Sequence, residues 1–114
     1  MTDIAYKVVA ADEWRAAVAE GRYEGSAVDL ADGYIHMSTE DQLAETLRKH
    51  YAGQADLLML SVDLTRFGDD LVWEPSRGGA LFPHLYAPLP VTAVTASRRL
   101  SVTTDGEIIF EDAA

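Results

Sequence analysis

The sequence predicts a single α+β domain, residues 1–114, with two N-terminal helices packed on a mostly antiparallel sheet. The chain has 114 residues, which is near the commonest size of one domain. Its first half alternates strand and helix patterns, whereas its second half contains mainly strand patterns. Asp105 and Gly106 form a two-residue hairpin signal before the apolar residues 108–110. This order favours an α+β domain over an alternating parallel sheet.

The first strand and the first helix are predicted at the N-terminus. Residues 4–9 have the composition of a short strand, and Asp12 is a candidate N-cap for the helix that follows. Trp14 and Val18 lie at helical spacing on its apolar face. Gly21 is expected to end this helix because glycine adopts the left-handed conformation common at helix C-termini.

The second helix has the strongest signals in the chain. Thr39 and Gln42 have the spacing of a capping box, in which each side chain bonds the backbone N–H of the other residue. Leu43 and Leu47 share the predicted core face. Gly53 is expected to end the helix.

Shorter elements complete the pattern. One helical turn is expected at residues 28–30, and a short strand at residues 34–37. The nearly continuous apolar run at 57–62 predicts a strand buried on both faces. Further strands are predicted at 71–74 and 91–102.

Composition and charge exclude several classes of function. The formal net charge is −10, which repels phosphate polymers and anionic membranes, so neither a nucleic acid nor a membrane is expected as a partner. The chain has no cysteine, which removes disulfides and thiolate chemistry. No apolar run approaches the roughly 20 residues that span a bilayer. A cytoplasmic protein is therefore expected.

Two irregular, polar segments are the candidate functional regions. In residues 73–86, Glu74 precedes Pro75 at a predicted strand end, and Arg77, His84 and Tyr86 follow close to a Gly-Gly pair. Glu74 is a candidate acid or a partner of Arg77, and Arg77 could bind a phosphate or carboxylate through two hydrogen bonds. Loops of this composition commonly carry function on a rigid scaffold.

The second segment, residues 33–39, contains Tyr34, His36 and Ser38. In an extended strand His36 and Ser38 point to the same face, so together they could bond the hydroxyl groups of a ligand. A structural role for His36 is the alternative. No nucleotide-binding glycine loop and no metal-binding histidine motif is present, so no metal site is predicted.

Residues 6–94 resemble the small bacterial proteins of domain-of-unknown-function family 952. The matching motifs are residues 32–39, 73–75 and 82–86. The resemblance implies a fold similar to the ADP-ribosyltransferase and RNA 2′-phosphotransferase group, in which a split sheet forms a cleft that accepts NAD. It places His36 at the ribose-binding position and Glu74 in the role of the acid.

These observations lead to a first hypothesis of an enzyme, or a degenerate relative of one, that binds NAD or a related nucleotide. No cofactor is required, since NAD would be the substrate or ligand. In this interpretation His36 and Ser38 bond the ribose, Glu74 polarises a hydroxyl or stabilises a cationic centre, and the remaining candidates bind a flat ring (Tyr34, Tyr86) or phosphate (Arg77, His84). A non-catalytic ligand-binding module and a protein-interaction module that uses residues 82–90 are the alternatives.

Overall fold

A computed structural model describes residues 3–75 and 79–111. Within these residues three α-helices form: α1 (Ala11–Glu20), α2 (Ala27–Asp32) and α3 (Glu40–His50). The prediction of two N-terminal helices was therefore wrong, because the described residues contain a third helix. The extra helix is α2, which includes the turn expected at residues 28–30. Ser26 caps its N-terminus: the Ser26 hydroxyl accepts from Asp29 N, and the Asp29 carboxylate accepts from Ser26 N.

The strands form three antiparallel groups, so the expected mostly antiparallel character is confirmed. A four-stranded sheet has the order β1-β4-β8-β9, a three-stranded sheet has the order β3-β6-β5, and β2 pairs with β7. The strands are β1 (Ile4–Ala10), β2 (Arg22–Tyr23), β3 (Ile35–His36), β4 (Leu57–Asp63), β5 (Leu71–Pro75), β6 (Leu81–Leu85), β7 (Leu89–Pro90), β8 (Val94–Val102) and β9 (Ile108–Phe110).

The four-stranded sheet has β4 at its interior, as the apolar run at residues 57–62 predicted. Leu57, Leu60 and Val62 are buried on this strand. Helix α3 covers part of the sheet through Leu47, which packs in a cluster with Leu57 and Leu100. Burial of such apolar side chains is the main favourable contribution to folding.

An antiparallel β-bridge between Tyr6 and Ser38 joins the three-stranded sheet to the larger sheet. Ser38 N donates to Tyr6 O at 2.9 Å, and Tyr6 N donates to Ser38 O at 2.8 Å. Apolar residues of its strands, among them Ile35 and Leu85, belong to the larger core cluster, against which Trp73 packs. Because strand side chains alternate between faces, the other face of this sheet is left for polar residues.

Residues 82–90 are not a loop, which corrects the interpretation of this segment. Residues 81–85 form β6, the middle strand of the three-stranded sheet, and residues 89–90 form β7. Pro83 is tolerated in the middle strand. Proline has no N–H to donate to a neighbouring strand, but the Pro83 carbonyl still accepts from Met37 N at 3.1 Å.

Two predicted boundaries near the C-terminus also differ. Residues 91–93 form a 3₁₀ turn, so the long strand begins at Val94. The hairpin loop is longer than two residues: Thr103 N donates to Glu107 O at 2.9 Å, which leaves three residues between them. Gly106 ends that loop with φ of 88°, the geometry of the common three-residue hairpin.

The helix ends confirm part of the capping prediction. Gly21 follows α1 in the left-handed conformation, and Gln42 Oε1 accepts from Thr39 N at 3.0 Å before α3. However, α1 begins before Asp12, and Val18 is exposed. Helix α3 is followed by Tyr51 as its C-cap instead of ending at Gly53.

Two tyrosines in this fold give a matched test of buried hydroxyl groups. The Tyr23 hydroxyl is buried and has no hydrogen-bond partner within the described residues, whereas the Tyr51 hydroxyl donates to Val8 O at 3.2 Å. An unbonded buried polar group costs about 1–3 kcal/mol, and a formed hydrogen bond contributes about 0.5–1.5 kcal/mol. We expect Tyr23→Phe to leave the free energy of unfolding unchanged or to raise it, and Tyr51→Phe to lower it.

Urea denaturation of both variants measures this contrast. A loss of stability in Tyr23→Phe as large as that in Tyr51→Phe would show that the Tyr23 hydroxyl is hydrogen-bonded in solution.

Candidate functional site

One face of the three-stranded sheet collects the polar residues of the two candidate segments. His36 of β3 lies directly opposite His84 of β6, and Glu74 of β5 lies opposite Phe82. Directly paired residues project to the same face, as do residues two apart along a strand. This face, here called the polar face, carries Tyr34, His36, Glu74, Phe82, His84 and Tyr86.

A cavity of about 620 Å³ opens beside the polar face. Its volume lies in the range that accommodates a small organic ligand. The polar face supplies one wall through His36, Phe82 and His84, and Ser38 lies beside them. The other lining residues belong to β1, α1, α2 and α3, and the polar ones include Lys7, Glu13, Asp29, Asp32 and Thr46.

Asp29 is the centre of a buried network in this cavity. Its side chain is 2% exposed, and Lys7 Nζ lies 2.8 Å from its Oδ2. Its Oδ1 accepts from the backbone N–H of His36 at 3.1 Å and contacts His36 Nδ1 at 2.6 Å. Burial favours the neutral carboxyl, but the hydrogen bond to His36 and the charge of Lys7 outweigh burial and hold the pKa of Asp29 well below its ordinary value.

Lys7 is held as the counter-ion of this carboxylate. Burial lowers the pKa of Lys7, and the charge and hydrogen bond of Asp29 offset part of that effect. Gly25 allows the chain to approach Asp29, since a Cβ at residue 25 would lie 2.8 Å from the Asp29 Cβ. The ion pair is therefore a built part of the fold and not a surface contact.

Both ring nitrogens of His36 face carboxylates. Nδ1 lies 2.6 Å from Asp29 Oδ1, and Nε2 lies 2.9 Å from Asp32 Oδ2. An ionised carboxylate can only accept hydrogen bonds. Both contacts are hydrogen bonds only when each ring nitrogen of His36 carries a proton.

His84 has a different environment. Its Nδ1 lies 2.7 Å from Glu74 Oε1, and the same oxygen accepts from the Tyr86 hydroxyl at 2.7 Å. The hydrogen bonds from His84 and Tyr86 lower the pKa of Glu74. The hydrogen bond to Glu74, together with burial, raises the pKa of Tyr86 to about 12. Glu74 is thus an ionised acceptor, and Tyr86 is a neutral donor.

Tyr34 covers both histidines on the polar face. Its ring stacks on His84 with centroids 4.2 Å apart and an interplanar angle of 28°. It also lies 4.6 Å from the His36 ring and 5.1 Å from the Tyr86 ring, centroid to centroid. These contacts fix the orientations of the imidazoles, because aromatic rings pack with specific geometry.

The structure brings most of the predicted site residues together. His36, Ser38 and His84 line the cavity, and Ser38 Oγ lies 3.0 Å from Thr46 Oγ1. Glu74 reaches the cavity wall only through His84. Tyr34 and Tyr86 adjoin the histidines on the polar face without being part of the cavity lining. Arg77 lies outside the described residues.

Three residues of the network were missed in the sequence: Lys7, Asp29 and Asp32. Lys7 lies two residues from both Ala5 and Val9, so it shares their buried face of the strand. A charged residue on the buried face of a strand indicates a paired charge. The Ser26 and Asp29 spacing is a capping-box signal. That signal identifies a helix start, although nothing local indicates that Asp29 also contacts β1 and β3.

Across residues 3–75 and 79–111, no cluster of three or more His, Asp or Glu side chains has an arrangement that could hold a metal ion. In the same residues, no helix has the length and apolar character needed to cross a membrane.

Solved structures of one protein resemble this chain closely. The crystal structure of protein CC0527 from Caulobacter crescentus is 52% identical, has a TM-score of 0.88, and matches 93% of each chain. The crystal structure of its double mutant is 51% identical with the same TM-score and coverage. Its solution NMR structure is 52% identical, with a TM-score of 0.81 over 92% of this chain and 90% of that one. No curated protein matches.

The family comparison covers most of the cavity-lining residues. The sequence model of the family described as "Protein of unknown function (DUF952)" matches residues 8–97. This span contains His36, Glu74 and His84, and all of the network except Lys7 of β1. The chain belongs to the DUF952 family.

Proposed function

We propose that the cavity binds a ribose-bearing ligand, with NAD or a related nucleotide as the first candidate. The observation that carries this proposal is the cluster of hydroxyl-binding groups at one wall. His36 and Asp32 are held together at 2.9 Å, and Ser38 lines the same cavity. The two adjacent hydroxyls of a ribose can donate to the Asp32 carboxylate and accept from the Ser38 hydroxyl.

The charges of the cavity favour one end of NAD. Glu13, Asp29 and Asp32 line it, and the Lys7 ammonium and the His36 ring are already paired with carboxylates. An acidic, partly buried site favours a cationic group over an anionic one. The pyridinium ring and its ribose therefore suit this cavity better than the pyrophosphate does. Arg77 stays our candidate for a phosphate contact.

The sheet arrangement supports an ADP-ribosyltransferase-like architecture as part of the same proposal. That architecture requires a histidine and a glutamate from two strands of a split sheet beside one cleft. Here β3 with His36 and β5 with Glu74 flank the shared strand β6. Glu74 acts in this site through His84, because its Oε1 is bonded to His84 and Tyr86.

Calorimetric titration tests ligand binding. We expect nicotinamide mononucleotide and NAD to bind, and adenosine to bind more weakly because it lacks the cationic ring. His36→Gln should weaken binding at least about tenfold, which corresponds to about 1.4 kcal/mol. His50→Gln is the matched control: His50 also lines the cavity but lies exposed at the end of α3, and its affinity should stay within about threefold of the original.

The outcomes separate the function classes. Binding followed by release of nicotinamide indicates an enzyme, and binding without release indicates a ligand-binding module. No binding of either nucleotide at millimolar concentration would reject the proposal and favour a protein-interaction module. Equal losses in the two histidine variants would show that the carboxylate-held imidazole has no special role.

A further inference from the structure

The hydrogen bonds around His84 determine which of its nitrogens can accept a proton. Glu74 is ionised and can only accept, so the 2.7 Å contact requires a proton on His84 Nδ1. In the neutral imidazole, Nε2 then carries the lone pair. Nε2 has no hydrogen-bond partner within residues 3–75 and 79–111. Among the described residues, nothing therefore prevents this nitrogen from acting as a base.

The position of His84 makes this lone pair available to a ligand. The residue is only 4% exposed, yet it lines the cavity. Its ring is held by stacking on Tyr34 and by an edge-on contact with the His36 ring, whose centroid lies 5.4 Å away. A carboxylate that orients an imidazole through Nδ1 and leaves Nε2 toward the reacting group is a recurrent arrangement in general-base catalysis.

We infer that His84 is a catalytic general base in this cavity and that Glu74 is its positioning residue. The inference rests on the proposed binding of a nicotinamide ribosyl compound and adds the reaction and the proton acceptor. Water would attack the anomeric carbon C1′ of the ribose while the C1′–N bond to nicotinamide breaks, and its electron pair returns to the ring nitrogen. One proton of the attacking water passes to His84 Nε2 and then to solvent. The products are the free ribosyl compound and neutral nicotinamide.

The adjacent groups suit this division of roles. Both ring nitrogens of His36 contact carboxylates, Nδ1 that of Asp29 at 2.6 Å and Nε2 that of Asp32 at 2.9 Å, so neither nitrogen is placed to take a proton from water. The carboxylates of Asp29, Asp32 and Glu13 also line the cavity and would stabilise the positive charge that develops on the ribose as the bond breaks. His84 is the imidazole of the pair whose geometry leaves a basic nitrogen.

Nitrogen NMR tests the protonation state without any substrate. Long-range ¹H–¹⁵N correlation spectra of the intact protein at neutral to mildly alkaline pH distinguish a protonated ring nitrogen from one with a lone pair. We expect His84 to have a protonated Nδ1 and a lone pair on Nε2. A proton on Nε2 of neutral His84 would overturn the inference, whatever the protein binds.

Turnover of NAD tests the catalytic role, measured as nicotinamide released and separated by chromatography. His84→Gln should lower kcat by about 10²–10⁴-fold, the usual contribution of a general base, while NAD binding measured by calorimetry is retained. Glu74→Gln keeps the shape and a hydrogen-bond acceptor but removes the charge, so it should lower kcat at least about tenfold with KM nearly unchanged.

Binding and turnover together separate failure of this inference from failure of the proposed function. If the original protein binds NAD and releases no nicotinamide, or if His84→Gln turns over as fast as the original, the inference is wrong and the binding site stands. If the original protein does not bind NAD, both are wrong.

Discussion

Asp29→Asn is expected to lower the free energy of unfolding by about 3–5 kcal/mol, the usual cost of breaking a buried ion pair by removing one partner. The Asp29 carboxylate is 2% exposed and the Lys7 side chain 6% exposed, with 2.8 Å between the charged atoms. The neutral amide would leave the Lys7 ammonium buried without a counter-charge. It would also weaken the contact to His36. Chemical denaturation at neutral pH measures the loss.

Asp32→Asn is the matched control for this change. Asp32 lies on the same helix and contacts the same imidazole, but its side chain is 48% exposed. Its loss should cost about 0–1 kcal/mol, as for other surface ion pairs. A loss in Asp29→Asn no larger than that in Asp32→Asn would contradict the buried network.

The pH dependence of the Asp29→Asn variant has a definite sign. Without the carboxylate, the pKa of buried Lys7 falls further below its ordinary 10.5. Between the lowered pKa of Lys7 in the folded variant and its ordinary pKa in the unfolded chain, the unfolded chain binds more protons. The free energy of unfolding of the variant therefore rises with pH in this range. The deficit relative to the original protein should therefore shrink in mildly alkaline solution.

The double variant Lys7→Met/Asp29→Asn should recover part of the loss at neutral pH, since it removes the unpaired charge.

Leu85→Ala is expected to lower the free energy of unfolding by about 2–5 kcal/mol. Leu85 is 0% exposed and lies next to His84 on β6. It stands opposite Ile35 of β3 and Leu71 of β5. The substitution removes buried apolar surface and leaves a cavity behind the polar face. Urea denaturation, with its slope compared between variants, measures the loss.

Leu81→Ala makes the same chemical change on the same strand. Leu81 is 52% exposed, so this variant should stay within about 0.5 kcal/mol of the original, as surface substitutions usually do. Similar losses in the two leucine variants would mean that β6 is not the buried centre of the three-stranded sheet.

Local chemistry in the sequence determined the elements whose signals are themselves local. The Thr39 and Gln42 pair marked the start of α3, and Gly21 marked the end of α1. The apolar run of β4 indicated a strand covered on both faces. Such signals depend on contacts within about four residues of each other, so they can be recognised in the sequence.

The polar face could be anticipated only in part. Alternation placed His36 and Ser38 on one side of a strand, and both line the cavity. For residues 82–86 the same alternation was present, but Pro83 and the preceding Gly-Gly pair suggested an irregular segment. Pairing with β3 and β5 made this segment a strand, which is a case of tertiary contacts overriding local preference.

What the sequence determined by itself was the α+β class, the antiparallel character, the family and the residue types that supply the chemistry. Only the tertiary structure decided how those residues combine. Strand register set His36 against His84, and the packing of α2 on β1 and β3 brought Asp29 to both Lys7 and His36. The pairing of β5 with β6 also brought Glu74 to His84. The physical reason is that register and helix packing are set by apolar burial over the whole domain, and a short sequence motif does not contain that information.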